Sequence, residues 1–161
     1  MRRREPESFR PDWVLIANAG RARCFARDRE NGALHELSSF VHPASRLEGH
    51  ELATDRAGHA FKGGASTQYE PRTDRHEKEH ARFAHLLAAH LEQAAQAQRF
   101  ERLALCASSE FLGELRARLG PAASARLETG VPVDLTAYAG PELERRVAQA
   151  LARAAEPGEG R

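Results

Sequence analysis

Residues 13–17 read Trp13-Val14-Leu15-Ile16-Ala17, five apolar side chains in succession. Neighbouring side chains on a strand point to opposite faces, so an unbroken apolar run marks a strand buried on both sides. A second such run, Leu103-Ala104-Leu105-Cys106-Ala107, stands far along the chain. Strands covered on both faces belong to an α/β sheet with helices above and below it.

Working outward from the first run, Asn18-Ala19-Gly20 supplies turn residues. Arg21 to Arg27 then alternates, with Ala22, Cys24 and Ala26 on one face and Arg21, Arg23, Phe25 and Arg27 on the other. Asn31-Gly32 is a hairpin signal, and Leu34 to Phe40 follows as a third strand, which makes an antiparallel meander. From Asp74 to Ala97 the period is helical: Phe83, Leu87, Leu91 and Ala94 form one stripe with Ala84 alongside. Thr73 or Asp74 is placed to cap this helix, and Glu77 and Glu79 suit its positive end. After the second buried strand, Ser108 is placed to cap a helix carrying Phe111, Leu112, Leu115 and Leu119, which stops at Gly120-Pro121. Leu127 to Val133 reads as a last strand, set near an edge by Pro132. Pro141 opens a final helix with Leu143, Val147 and Leu151 in register. The order β-β-β-α-β-α-β-α with right-handed crossovers predicts a mixed five-stranded sheet, strand order 3-2-1-4-5, with ribonuclease-H-like connectivity and helices on both faces.

The chain has 161 residues, 41% apolar and 29% charged, with a formal charge of +1. One domain accounts for that length, and no global field draws it toward nucleic acid or anionic lipid. Residues 1–11 read as a mobile basic tail, 42–73 as a long glycine-containing loop, and 156–161 as a polar tail. The start Met1-Arg2-Arg3-Arg4 is followed by no signal-peptide core, and no run approaches the roughly 20 apolar residues of a membrane span. Cys24 and Cys106 lie singly inside apolar runs, so free buried thiols are expected. A cytoplasmic location and no membrane insertion follow as expectations.

Several segments carry a resemblance. They are Asp55-Arg56-Ala57-Gly58, Tyr69-Glu70-Pro71-Arg72-Thr73-Asp74-Arg75-His76-Glu77, Phe100-Glu101-Arg102-Leu103, Phe111-Leu112-Gly113-Glu114-Leu115-Arg116 and Val133-Asp134-Leu135-Thr136. Together, between Trp13 and Val147, the chain resembles the bacterial host-attachment protein family. That resemblance implies a presumed role in attachment to host cells, with no chemistry attached. It also implies a fold similar to the middle domain of class-one release factors and Pelota. In the release factors a Gly-Gly-Gln tripeptide precedes the long helix. The matching stretch here is Phe61-Lys62-Gly63-Gly64-Ala65-Ser66, with the glycines present and Ala65 in place of glutamine. A ribosome- or tRNA-associated factor lacking that glutamine is therefore the alternative function, with peptidyl-tRNA hydrolysis disfavoured.

Catalytic constellations are thin. His76-Glu77-Lys78-Glu79-His80 is a literal H-E-x-x-H on a predicted helix, the spacing by which zinc peptidases bring two imidazoles to one face beside a general base. His76 and His80 are thus weak metal candidates for a hydrolase. Phe83 and Leu86 stand where a metzincin needs glycine and histidine, and both histidines share the stripe of Phe83 and Leu87. A two-metal nuclease would need carboxylates at the ends of the central strands, where Asn18 and Ser108-Ser109 stand; Asp134 alone does not hold a metal pair. No enzyme activity and no cofactor are expected. The expected function is a non-catalytic binding module whose partner is a protein, or RNA or the ribosome. The candidate binding residues are Arg72, Asp74, His76 and Glu77 at the start of the long helix, with Gly63 and Gly64 before it. A structural alternative gives Asp74 the cap, pairs Arg72 with a carboxylate and turns His76 inward.

Overall fold

In the computed structural model, described for residues 10–42 and 72–156, the two doubly apolar runs are adjacent parallel strands. They are β1 (Asp12–Ala17) and β4 (Leu103–Ala107), paired from Trp13 opposite Leu103 to Ala17 opposite Ala107. β2 (Arg21–Arg27) and β3 (Leu34–Val41) extend the sheet antiparallel on one side. β5 (Leu127–Pro132) joins parallel to β4 on the other. The sheet order is β3-β2-β1-β4-β5, as the crossover argument expected, and β5 with its proline forms the far edge.

Why the hairpin closes where it does is visible in its turn. Asp28 Oδ1 accepts the amides of Glu30 and Asn31, and Gly32 adopts φ +74°, the left-handed conformation that the Asn-Gly pair favours. Alternation along β2 is kept, with Cys24 in the core on one face and Phe25 in the core on the other; the register shift against it falls on β3, where Leu37 is the extra residue between Glu36 and Ser38.

The helices are α1 (Arg72–Gln96), α2 (Ser109–Arg118), α3 (Pro121–Arg126) and α4 (Gly140–Ala155). Two core layers result. Trp13, Leu15, Cys24, Leu103 and Leu105 pack against the first three helices through Phe83, Leu87, Leu91, Phe111, Leu115 and Ala123. On the other face Val14, Ile16, Phe25 and Cys106 pack against Leu143 and Val147 of α4. Truncating a buried leucine such as Leu87 or Leu105 to alanine would cost about 2–5 kcal/mol.

Three details differ from expectation. First, α1 is already helical at Arg72, so Thr73 and Asp74 lie within the helix instead of capping it. The first turn holds no apolar period, which is why its start is not visible in the pattern. Second, Ser108 occupies the N-cap position of α2, but its side chain makes no capping hydrogen bond. Third, α2 ends at Arg118, just before Gly120-Pro121 as expected, but Pro121 then opens a further short helix, α3, that the sequence reading did not include. The capping group there comes from a distant place. Glu92 of α1 accepts the amides of Ala122 and Ala123 at 3.2 and 2.8 Å, satisfying helix-start donors that a local side chain would normally take. These bonds, with a further one from Gln96, outweigh the desolvation that opposes them, and hold the Glu92 carboxyl below its ordinary range.

The tails and most of the expected long loop (residues 1–9, 43–71 and 157–161) lie outside the described residues, and so do Gly63 and Gly64.

Candidate functional site

The carboxyl ends of β1 and β4 sit side by side, and the chain leaves them in different directions. β1 turns back into β2, whereas β4 leads into α2. In open α/β sheets such a divergence leaves a crevice outside the strand ends, where ligands commonly bind. Here a polar ridge of hydrogen-bonded side chains crosses the strand ends. Asn18, directly after β1, donates its Nδ2 to Asp134 Oδ2 and to Thr136 Oγ1, both at 3.0 Å. Its Oδ1 accepts the amides of Gly20 and Arg21 at 2.8 and 3.0 Å, which shapes the β1–β2 turn. Asp134 in turn accepts the Thr136 amide and hydroxyl.

Asp134 is therefore an acceptor of several donors at once. Burial pushes its carboxyl up, but the bonds from Thr136 and Asn18 and the charge of Arg21 win, and its pKa lies below the ordinary value. An ionised carboxylate with its lone pairs taken is a poor proton acceptor for catalysis; it is suited to fixing the loop after β5.

The ridge continues to the long helix. The amide of His42, just past β3, donates to the Gly20 carbonyl at 2.9 Å. The His42 ring is 7% exposed as a residue and stacks on Phe83 of α1, with centroids 5.1 Å apart. Its Nε2 lies 3.0 Å from Glu79 Oε2, an ion-pair distance whose angle falls outside hydrogen-bond geometry. Glu79 also accepts from Arg82 at 3.0 Å. A continuous set of contacts thus runs from Asp134 through Asn18, Gly20 and His42 to Glu79, joining the loop after β5 to the first turns of α1.

The sequence-designated residues fall at the far end of that set. Arg72 and Asp74 lie in the first described turn of α1. His76 is half-buried, while Arg75, Glu77 and Lys78 are exposed. His76 and His80 face each other with ring centroids 6.1 Å apart, the i, i+4 proximity that the H-E-x-x-H spacing demands. Among the described residues no group of three or more His, Cys, Asp or Glu converges as a metal site. His90 lies elsewhere, packed against Trp13 and edge-on to Phe40.

The family described as "Protein required for attachment to host cells" matches residues 13–147. The chain belongs to this family. The matched span includes both strand ends, the ridge and all of α1. A search of the curated proteins returned no match. Among solved structures, the chain is similar to an archaeal translation termination factor at 12% identity and a TM-score of 0.42. That likeness covers 88% of this chain and 39% of the termination factor.

His42 was not singled out by the sequence, because a single histidine after a strand carries no pattern. Asn18 was read as a turn residue and as a missing carboxylate. Its neighbours Ala19-Gly20 signalled a turn, but its bond to a residue 116 positions away had no local trace. The arginine face of β2 is partly engaged within the chain. Arg23 donates to the Tyr138 carbonyl and lies over the Phe25 ring, 5.3 Å from its centroid, while Arg21 is exposed. Both cysteines are free and buried, on opposite sides of the sheet, and burial pushes each thiol up to about 12. Neither is a thiolate nucleophile at neutral pH.

Proposed function

We propose that this attachment-family chain is a non-catalytic binding module that meets a protein partner on the first turns of α1, around Arg72, Asp74, His76 and Glu77. One observation carries this reading. The inner side of those turns is held by Glu79 against His42, while Arg75, Glu77 and Lys78 stand exposed. Core packing of α1 begins in earnest only at Phe83, so folding alone does not call for this dense mixed-charge surface. Alternating charge favours a partner surface of matching mixed charge, and gives specificity and orientation more than raw affinity.

Two further points agree with a binding role. The ionisable groups of the ridge engage one another or backbone amides, and the thiols are held protonated in the core. A cytoplasmic location suits two cysteines that are both unpaired. No helix among the described residues is long and apolar enough to cross a membrane.

The test is a deletion strain compared with its parent for attachment to host cells. Reduced attachment, restored by the intact gene, is the expected result. Unchanged attachment in a sensitive assay would contradict the proposed role.

A further inference from the structure

At the opposite end of the sheet from the ridge, the starts of β1, β4 and β5 and the end of β2 surround a cavity of about 280 Å³ under the last turns of α4. Its polar wall holds three guanidiniums, Arg27, Arg29 and Arg102, and two carboxylates, Asp12 and Glu128. The carboxylates are already claimed. Asp12 Oδ1 accepts from Arg29 Nη2 and Nε at 2.8 and 3.0 Å and from Arg102 Nε at 3.2 Å, and Glu128 lies 3.6 Å from Arg102. One positive charge is left over.

That charge is Arg27. Its Nε is closed to solvent and makes no hydrogen bond. It pairs with no carboxylate and donates to no carbonyl at the C-terminal end of α4, the other natural partner for a cation placed there, among the described residues. With Nε closed off, a ligand in the cavity would meet the Nη edge of the guanidinium, whose planar shape matches a carboxylate. Apart from Thr129, the remaining walls are apolar, with Val14, Leu151, Ala154 and Ala155 among them. A space of this size lies at the small end of ligand sites and suits a molecule of a few heavy atoms, not a peptide or a nucleotide.

We propose that this cavity is a binding site for a small aliphatic monocarboxylate, its carboxylate on Arg27 and its alkyl part against Val14 and Leu151. The site is independent of the surface on α1 and does not rest on the attachment role.

The experiment is a titration of the full chain with hexanoate, followed by backbone amide shifts, with hexan-1-ol and inorganic phosphate in parallel. Saturable shifts are expected at residues 12–14, 27, 102–104 and 151–155, and Arg27→Met should weaken binding by about tenfold or more. Because methionine keeps the unbranched stem, this variant should fold, and its thermal unfolding checks that it does. Arg27→Lys, which keeps the charge without the fork, should bind more weakly than the parent but better than Arg27→Met. Absence of saturable shifts would overturn the proposal. So would equal binding of hexan-1-ol, equal binding of phosphate, or undiminished binding by a folded Arg27→Met chain.

Discussion

Asn18 and Asp134 are joined by a 3.0 Å hydrogen bond that crosses from the end of β1 to the loop after β5. Residues far apart in the chain thereby hold the carboxyl end of the sheet in one arrangement, and the same asparagine shapes the β1–β2 turn. Asn18→Ala removes the acceptor of two turn amides and a donor to Asp134. We expect a loss of about 1–2 kcal/mol in chemical unfolding, with the fold retained. A loss within error would show that the ridge does not stabilise this end.

The same network sets an acid dependence. The folded-state pKa of Asp134 is depressed, so its contribution to stability is present above the ordinary carboxyl value of 3.8 and is lost as pH falls through the lower folded value. Asp134 is exposed as a residue, so solvent screening keeps the effect small, about 1 kcal/mol or less. Asp134→Asn should flatten the stability profile below pH 4 and leave it unchanged in slope near neutrality. Urea unfolding at a series of pH values reads this directly.

His90 gives a second titration at higher pH. Burial foremost, and then the charge of Arg99, depresses its folded-state pKa below 6.5. Its stabilising contribution is therefore whole above pH 6.5 and declines as pH drops through the folded value, because the unfolded chain takes up the proton first. His90→Phe keeps a ring beside Trp13 and Phe40 and should remove that decline. A variant whose melting temperature still falls between pH 7 and 5 as steeply as the parent's would count against this assignment.

At the junction of α1 and α3, a β-carbon on Gly120 would come within 2.5 Å of the Glu92 carboxyl carbon. Glu92 ends a side chain, so it would swing away and give up the amides of Ala122 and Ala123. Gly120→Ala should thus cost about 1–2 kcal/mol, the value of a lost helix cap, and Glu92→Ala a similar amount. The double variant should cost no more than either alone, since both remove one interaction. Additive losses would mean that Gly120 matters for another reason.

The parts of the fold that sequence made legible are those governed by local period. Trp13 to Ala17 and Leu103 to Ala107 declared doubly covered strands, and Phe83, Leu87 and Leu91 declared the buried side of α1. What escaped depends on partners distant in the chain. α3 starts at a proline that also serves as a stop signal, and only Glu92, supplied by another helix, distinguishes the two outcomes. The candidate surface was partly legible. A cluster of opposite charges from Arg72 to Glu77 is conspicuous in any reading, but the contact that fixes it, Glu79 with His42, spans residues that no periodicity connects.

The central claim is that the exposed first turns of α1 are a partner surface and not a structural necessity. Arg75 and Glu77 are both exposed, so replacing them should leave folding intact. The deciding measurement is host-cell attachment by a deletion strain carrying Arg75→Ala/Glu77→Ala, with the purified variant's melting temperature determined alongside. The account predicts attachment reduced toward that of the deletion strain and a melting temperature matching the parent. Full attachment by a stably folded variant would contradict it.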